Sequence, residues 1–472
     1  MAPPESGDSA RLVTWLALCK GHDPQSSGAQ DLLAEFARKA ELSALDQGLA
    51  YEILMGSLRT RRILDKITDT LEGFQGKVIK ENIREVIRIG LYQYFFMDRV
   101  PVHALVNETV EIARLRLGPP EAGFCNALFQ RMIAQYPNRA GHLEDITAAF
   151  SLADRYSFPG WIVRMIKREA GPENLEAALR ALNAPLPLYA RANPPLAETV
   201  DVTRHLLTSG IVARPRPDIA PWCLEIESPV APILETEIFR QGGLFIQDAS
   251  SQLVAEFAVG TLENIDAPMV VDFCSAPGGK TTYIATRMQK QGQLVACDIS
   301  LPRLERLREN AKRLRVSDFI EIALLEEDSR KVKKKADPSP NADLVLVDAP
   351  CSGLGTLRRH PEIRWRLSHA DLHRLATLQG EILNRAARLV RPGGTLIYAT
   401  CSLAPAENEA VVNAFIEASA DAWEIVTDTS DLPDFLAKHI EEDGWLRLHP
   451  HTDVMDSARA VRLQRKDGLP CQ

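Results

Sequence analysis

The sequence contains few of the features that mark a disulfide-bonded, metal-binding or membrane-spanning protein. Its eight cysteines are spread singly over 472 residues, and none forms the CxxC pair of a zinc site. No apolar run reaches the roughly 18 residues that a membrane span requires. The first residues, MAPPESGDSARL, lack the basic-then-apolar pattern of a secretory signal. We therefore expect a cytoplasmic protein with reduced thiols, no metal site and no membrane association.

A net positive charge is also missing. The chain has 55 lysines and arginines against 63 aspartates and glutamates, which gives a formal net charge of −8 at pH 7. This balance argues against nonspecific nucleic-acid binding by the whole surface, but a local basic face remains compatible with it. The densest charge run, RKVKKKADPSPNAD at 330–343, is typical of a solvated loop, and an RNA-contacting loop is the alternative.

No internal repeat is visible, and the first half of the chain changes character near residue 150. From residue 8 to about 140, apolar residues recur at helical spacing, which predicts a helical bundle with a turn at GPPEAG, 118–123. The pattern is clearest in two segments, at Leu49, Ile53, Leu54, Leu58, Leu64 and at Ile83, Val86, Ile87, Leu91, Tyr94. Prolines then cluster up to about residue 240, which favours a small mixed α/β segment.

From about residue 244, short apolar runs alternate with amphipathic helical stretches. The runs, which we predict to be strands, are 269–273, 293–297, 319–325, 342–348 and 394–401. Apolar strands separated by amphipathic helices indicate a mostly parallel sheet covered on both faces. We predict three domains: a helical domain at 8–142, a small α/β connecting subdomain at 150–240, and an α/β domain with a Rossmann-like sheet at 244–468.

The loop after the first of these strands, in VVDFCSAPGGKTTYIA, is a candidate ligand site. In such sheets, ligands bind beyond the carboxyl ends of the strands. Gly278 and Gly279 would let the backbone approach a ligand closely, next to the free N–H groups of a helix start. A Walker A loop would need glycine at position 274, where Cys274 stands, and the dinucleotide pattern GxGxxG is absent.

An acid, Asp298 in VACDIS, ends the second strand. A carboxylate at this place can accept hydrogen bonds from both hydroxyls of a ribose. A ligand with an adenosine ribose but no phosphates fits this combination, and S-adenosylmethionine is such a ligand. The alternative is that Asp298 caps the helix that follows.

Two cysteines stand at neighbouring strand ends. Asp348, Pro350 and Cys351 close the fourth strand, and Thr400 and Cys401 close the fifth. A free cysteine is commonly a buried and inert small hydrophobe. The alternative is methylation of a pyrimidine at C5, in which a thiolate adds to C6 and the resulting enamine attacks a methyl sulfonium. That chemistry favours a thiol of lowered pKa, an acid such as Asp348 at N3, and a base taken out of its stack.

Several stretches resemble a known family. DFCSAPGGKTT, DAPCSGLGTLRRHPEIRW and YATCSLAPAENE resemble the signature blocks of the NOL/NOP/Sun family of RNA cytosine-5 methyltransferases, and FIQDASSQL at 245–253 resembles its opening block. Near the N-terminus, LAYEILMGSLRTRRILDKI, IRIGLYQYFFMDRVPVHALVNETVEIAR and GFCNALFQRM resemble the NusB-like RNA-binding helical domain. Together they are similar to the members of the family that modify 16S rRNA.

The resemblance implies S-adenosyl-L-methionine as cofactor and RNA as partner, either small-subunit rRNA or a partly assembled subunit. We expect a monomer. The family's nucleophile falls on Cys401, its release residue on Cys351, and a further catalytic role on Asp348. The family's cofactor contacts fall on Cys274, Ser275, Ala276, Pro277, Gly278, Gly279, Lys280, Asp298, Asp328 and Asp348.

The arginines of DAPCSGLGTLRRHPEIRW, here called the Pro-Cys block, and two departures from the family pattern complete the prediction. We predict that phosphates of the RNA are contacted by Arg358, Arg359, Arg364 and Arg366. Surface salt bridges are the alternative. Before the last strand, Ser457, Ala458 and Arg459 replace a glycine and two aromatic residues, so a glycine turn and an aromatic wall are missing. The sequence EEDSR around Asp328 departs from the commoner Gly-Asp pattern.

Two other functions stay open at this stage. The first is the same chemistry on transfer RNA or 23S rRNA. The second is a noncatalytic ribosome-assembly or antitermination factor that keeps a methyltransferase fold.

Overall fold

The computed structural model describes residues 3–23, 28–228, 230–325, 341–419 and 422–467. The chain divides into two compact units, one formed by Met1–Asn183 with His360–Arg366, the other by Ala184–Arg359 with Leu367–Gln472. None of the helices in the described ranges combines the length and the apolar character that crossing a bilayer would demand. Asp328 and most of the charge run at 330–343 lie outside the described residues.

The first unit is helical, as the apolar spacing predicts. Its helices are α1 Ala10–Gly21, α2 Ala29–Lys39, α3 Ala44–Thr70, α4 Glu81–Phe96, α5 Val102–Arg116, α6 Pro119–Gln135, α7 Arg139–Ala148, α8 Leu152–Arg155, α9 Gly160–Ala170 and α10 Leu175–Ala181. The apolar positions predicted for α3 and α4 lie in one core, with Leu49 and Ile83 at its edge and the others buried. Burial of this stripe is what stabilises the two helices, because isolated helices gain little from propensity alone.

The turn predicted at 118–123 is wrong beyond its first residue. Gly118 lies outside the helix with a φ of +124°, but Pro119 already begins α6. Proline suits the first helical position because its missing N–H would have no partner there.

The second unit contains two sheets. Its strands are β1 Leu188–Ala192, β2 Val212–Pro215, β3 Cys223–Glu227, β4 Leu244–Ile246, β5 Met269–Asp272, β6 Gln293–Asp298, β7 Ile320–Leu324, β8 Ala342–Asp348, β9 Val390–Thr400, β10 Trp423–Ile425, β11 Trp445–Arg447 and β12 Arg459–Arg465. Its helices are α11 Thr199–Thr208, α12 Val230–Leu234, α13 Glu237–Arg240, α14 Ala249–Val259, α15 Gly279–Arg287, α16 Leu301–Arg313, α18 His369–Ala387, α19 Glu409–Ala418 and α20 Asp434–Ala437, whereas α17 Ile363–Arg366 belongs to the first unit.

The larger sheet has the order β10-β12-β9-β8-β5-β6-β7, and β11 also pairs with β12. Its five strands from β9 to β7 are parallel, and they are the five apolar runs predicted from the sequence. β12 pairs antiparallel with β9, and β10 and β11 pair antiparallel with β12. The strand order reverses between β5 and β8, so the carboxyl ends of these two strands flank the crevice where such sheets bind ligands.

The smaller sheet is antiparallel, in the order β2-β3-β1-β4. Its strands β1, β2 and β3 lie in the region predicted to be a mixed α/β connection, and β4 lies at the start of the domain predicted at 244–468. The structure groups that region differently from the predicted domains, because residues 150–183 belong to the helical unit and residues 184–240 to the unit with the sheets.

A short piece of the Pro-Cys block belongs to the helical unit. Arg364 is fully buried there, stacks on Phe158 at 3.9 Å, and donates from Nη1 to the carbonyl oxygen of Ser157 and to Asn183 Oδ1. Burial lowers the pKa of Arg364 to about 9. Trp365 Nε1 donates to the carbonyl oxygen of Leu58. The predicted phosphate contact of Arg364 is therefore wrong, because this side chain is part of a protein core.

Candidate active site at the carboxyl ends of the parallel strands

The loop between β5 and α15 forms a tight turn that only one of its two glycines requires. Gly278 has a φ of +102°, which favours glycine, and a Cβ at this position would lie 2.9 Å from Leu307 Cγ on α16. Gly279 begins α15, and a Cβ there would make only ordinary contacts. Ser275 ties the loop to the neighbouring strand, because its N–H and its hydroxyl both donate to the carbonyl oxygen of Cys297.

Asp298 lies beside this loop and does not cap a helix. Its Oδ2 accepts a hydrogen bond from the N–H of Ala276 and its Oδ1 accepts one from the N–H of Ser300. The residue that precedes α16 is Ser300, so the capping alternative is wrong. The next side chain, Ile299, is 55% exposed. A fixed carboxylate beside an exposed apolar side chain fits a nucleoside, with ribose hydroxyls on the acid and a base ring on the apolar group.

Lys280 connects the loop to the end of β8. Its Nζ donates to Asp348 Oδ2 at 2.8 Å. Burial lowers the pKa of Lys280, but the attraction of Asp348 and the charge of Cys401 outweigh it, so the pKa is raised. Lys280 therefore carries its positive charge within electrostatic reach of the Cys401 sulfur.

The two cysteines predicted to face one cleft are in contact. Cys351 Sγ and Cys401 Sγ are 3.0 Å apart, and both are free thiols. The pKa of Cys351 is raised well above its usual value. The hydrogen bond with Cys401 is the largest cause, and burial is the second. Cys351 is consequently a protonated thiol at neutral pH. Buried cysteines without a partner are common, but two thiols in contact beside an acid and a lysine form a reactive arrangement.

A small cavity of about 140 Å³ opens beside Cys401. Its lining combines a thiol, an ammonium, three carboxylates and four hydroxyls with two apolar groups. The lining residues are Asp248, Ser250, Ser251, Val254, Lys280, Asp348, Thr356, Thr400, Cys401, Asp456 and Ala458. Among the described residues, Cys401 is the cysteine that reaches this space. Polar groups that converge on a small concave site are typical of a substrate pocket.

Glu407, which the sequence analysis did not single out, holds both cysteine loops. Its carboxylate is fully buried and accepts hydrogen bonds from the N–H of Ser352 at 2.8 Å and from the hydroxyls of Ser352 and Ser402, each at 2.5 Å. Gln379 Nε2 donates to the same carboxylate. Each of these serines directly follows one of the cysteines. The repeated Cys-Ser pair was the signal in the sequence that could have indicated a shared partner.

Backbone hydrogen bonds at Gly355 join the Cys401 loop to the segment before β12. The N–H of Gly355 donates to the carbonyl oxygen of Cys401 at 2.8 Å, and the carbonyl oxygen of Gly355 accepts from the N–H of Ser457 at 3.0 Å. A Cβ at 355 would lie 2.2 Å from the carbonyl oxygen of Ser457, which requires glycine. Asp456 and Ala458 are thereby held at the cavity.

Arg358 and Arg359, predicted to contact phosphates, bind protein groups instead. Arg358 is buried and donates to the carbonyl oxygens of Pro450, Asp453 and Met455. Arg359 donates from Nε to Asp456 Oδ2 at 2.9 Å and from Nη2 to Asp248 Oδ2 at 2.5 Å. The alternative, a salt bridge, is correct for Arg359, although the bridge lies inside the site and not on the surface. The prediction for Arg366 stays a prediction.

Comparison with known proteins agrees with this geometry. A family model described as 16S rRNA methyltransferase RsmB/F matches residues 259–464, and the NusB family model matches residues 10–134. The Vibrio cholerae protein named ribosomal RNA small subunit methyltransferase B is 34% identical over 83% of this chain and 86% of its own. The chain belongs to the RsmB/F family. A Synechocystis protein named probable ribosomal RNA small subunit methyltransferase B is 31% identical over 93% of this chain and 98% of its own.

A solved structure supports the fold of the RsmB/F chain. The crystal structure of PH0851 matches it with a TM-score of 0.73 and 24% identity, over 98% of this chain and 100% of the other. The predicted fold, a Rossmann-like methyltransferase domain with an N-terminal NusB-like helical domain, is confirmed. Membership in the family also confirms S-adenosyl-L-methionine as the methyl donor of an rRNA methyltransferase.

The structure therefore brings together most of the predicted site. Cys401, Asp348 and Lys280 line the cavity, Cys351 contacts Cys401, and Asp298 lies at the end of β6 beside the loop of 274–280. Asp328 lies outside the described residues. The individual roles of these residues stay predictions.

Proposed function

We propose that this RsmB/F chain transfers a methyl group from S-adenosylmethionine to C5 of a cytosine in 16S rRNA, through a bond between Cys401 and C6 of the base. The observation that supports the proposal most strongly is the contact of two thiols, 3.0 Å apart, of which Cys401 lines a cavity shared with Asp348 and Lys280. The addition of a thiolate to C6 is what makes C5 nucleophilic.

Each step of the addition can be assigned to a residue of the chain. Residues 274–280 and Asp298 would hold S-adenosylmethionine, which supplies an electrophilic methyl group when it is bound. Cys401 releases its thiol proton to solvent, its Sγ bonds to C6, and the electron pair of the C5–C6 double bond moves toward C5. The Asp348–Lys280 pair, joined by a hydrogen bond, gives N3 of the ring a proton as the adduct forms and takes it back on release, which stabilises the adduct in between.

Release of the product uses the second thiol. C5 must lose its proton while the C6–S bond breaks and leaves its electron pair on Cys401 Sγ. The protonated thiol of Cys351 lies 3.0 Å from that sulfur and can donate its proton to it. The thiolate then left on Cys351 takes the C5 proton, so both cysteines are restored.

The choice of RNA rests on the N-terminal region and on the relatives. The NusB match at 10–134 supports an RNA-binding role for the helical unit, and the curated relatives carry names that refer to small-subunit rRNA. We therefore favour small-subunit rRNA, naked or in a partly assembled particle, over transfer RNA or 23S rRNA, and we expect the protein to act in the cytoplasm. A noncatalytic assembly factor would have no need of both thiols, Asp348 and Lys280.

A comparison of Cys401→Ala with Cys351→Ala tests the proposal. Each variant is incubated with 16S rRNA and S-adenosylmethionine carrying a labelled methyl group, and the products are separated on a denaturing gel. Cys401→Ala should lose methylation and form no adduct, whereas Cys351→Ala should accumulate a protein–RNA adduct that survives denaturation. Cys125→Ala, which removes a buried thiol from the helical core, is the control and should behave as the unmodified protein.

The other outcomes separate the alternatives. An adduct in Cys401→Ala and none in Cys351→Ala would reverse the two roles. Full activity in both variants would contradict a covalent mechanism. Parallel reactions with transfer RNA and 23S rRNA identify the substrate, and a chain that methylates none of these RNAs would favour the assembly factor.

A further inference from the structure

We propose that Asp456 recognises the exocyclic amino group at C4 of the target base and so selects cytosine over uracil. The inference rests on the proposed function, because it assigns a specificity residue to the same cavity. Cytosine carries a donor NH₂ at C4, where uracil carries an acceptor oxygen, and an ionised carboxylate is an acceptor only. C4 is the ring neighbour of C5, so the residue must lie close to the place of methyl transfer.

Three carboxylates line the cavity, and two of them have other tasks. Asp348, paired with Lys280 at 2.8 Å, is already assigned to N3 of the base in the proposed function. Asp248 is the N-cap residue of α14, and its Oδ1 accepts from the N–H of Ser250 at 2.9 Å and from the N–H of Asp456 at 3.3 Å. Its Oδ2 accepts from Arg359. Asp248 therefore serves to fix α14 and Asp456, which makes Asp456 the acidic group for a further edge of the base.

Asp456 is held in one orientation before any substrate arrives. Arg359 Nε binds Asp456 Oδ2 at 2.9 Å, and Arg358 binds three carbonyl oxygens of the segment that leads to it. Through Ser457 and Gly355, two backbone hydrogen bonds connect it to the loop of Cys401. Asp456 is only 5% exposed. A preorganised and desolvated acceptor discriminates strongly, because the wrong base would leave it facing another acceptor.

The departure from the family pattern agrees with this assignment. Ala458, in place of an aromatic residue, lines the cavity but has no polar group, and Ser457 is not among the lining residues. Of the segment 456–458, Asp456 is thus the residue that can form a hydrogen bond with the base. The two arginines predicted to bind phosphate act as positioning residues for it.

A cycle of two proteins and two RNAs tests the contact directly. The unmodified protein and Asp456→Asn are each given RNA with cytosine or with pyrimidin-2-one at the target position, and the rate of covalent adduct formation is measured. Pyrimidin-2-one lacks only the amino group. We expect Asp456→Asn to slow the reaction with cytosine about tenfold and to leave the reaction with pyrimidin-2-one within about twofold. On RNA with uracil, the variant should gain activity relative to cytosine by about tenfold, since its amide can donate to the C4 oxygen.

The matched control is Asp453→Asn. Asp453 accepts a hydrogen bond from the N–H of His449 in the same segment but does not line the cavity, so its substitution should affect all three bases equally. Equal losses with cytosine and pyrimidin-2-one in Asp456→Asn, or an unchanged ratio of uracil to cytosine, would overturn the inference. Each ratio comes from one preparation, so an unfolded fraction cancels. Failure of the unmodified protein to react with cytosine would overturn the proposed function. This outcome is distinguishable from failure of the inference, because it is measured without any Asp456 variant.

Discussion

The loops that follow β8 and β9 each place a cysteine before a serine, but the two thiols have different surroundings. In both, a cysteine at the strand end is followed by a serine that binds Glu407. Cys401 lines the cavity and lies within reach of the Lys280 charge. Cys351 lies 3.0 Å from the Cys401 sulfur, is not among the lining residues, and has a raised pKa. The difference teaches that the motif delivers two thiols to one place, while their surroundings decide which one can reach a substrate.

Removal of the shared anchor should have the largest effect on both loops. In Glu407→Gln, an amide NH₂ replaces one of the two acceptor oxygens. It then either faces the N–H donors of Ser352 and Gln379, or forces the hydroxyls of Ser352 and Ser402 to turn and accept. A displacement of the thiols of about 1 Å is expected to lower kcat about 100-fold. Single-turnover kinetics would show adduct formation and adduct release slowed together, with the affinity for S-adenosylmethionine retained.

Glu409→Gln is the matched control for this experiment. Glu409 is two residues away and pairs with Arg447 at 2.9 Å, so the same chemical change leaves the cysteine loops intact. The control should keep a kcat within about twofold, because the Glu409–Arg447 pair makes no hydrogen bond with either of the two described cysteine loops. A Glu407→Gln enzyme with full kcat would show that the anchor does not position the thiols.

Separate substitutions of the two serines should distinguish the two loops. Ser402→Ala removes a hydroxyl that donates to Glu407 and accepts from the N–H of Ala404, and it should slow adduct formation about tenfold. Ser352→Ala should instead slow adduct release by a similar factor, because it loosens the loop of Cys351. Quenched-flow measurement of the adduct over time resolves both rates. If both variants slow the same step, the two loops do not act independently.

Local sequence patterns were sufficient for the parallel part of the larger sheet. The five parallel strands are short apolar runs, and each was predicted within a few residues because a strand buried on both faces has few alternatives. The helical stripes of α3 and α4 were equally clear. The antiparallel additions, β10 and β11, are three residues each, too short to carry a periodic signal.

The site was predictable where its residues end strands, and not where it depends on distant contacts. Cys351, Cys401 and Asp348 follow β8 and β9, so the topology alone brings them together. Arginines in a loop are usually exposed, and no local pattern reveals that Arg364 stacks on Phe158, some two hundred residues earlier in the chain. The role of Arg359 likewise requires Asp248 and Asp456, which lie far away on both sides in sequence.

The smallest effect concerns the reactivity of Cys351 itself. Alkylation requires the thiolate, so the raised pKa of Cys351 keeps its reaction with iodoacetamide slower than that of an ordinary thiol and shifts the rise of the rate to higher pH. The hydrogen bond with Cys401 is the largest cause of the raised pKa. In Cys401→Ala the pKa should therefore fall, and the alkylation rate of Cys351 at pH 8 should rise severalfold. Mass spectrometry of the peptide that contains Cys351, over a series of pH values, measures both the pKa and the rate.

The control is Cys223→Ala, which removes a buried thiol of the smaller sheet and should leave the pH profile of Cys351 alkylation unchanged. If Cys401→Ala leaves it unchanged as well, burial alone protects Cys351, and the two thiols differ by access and not by their contact.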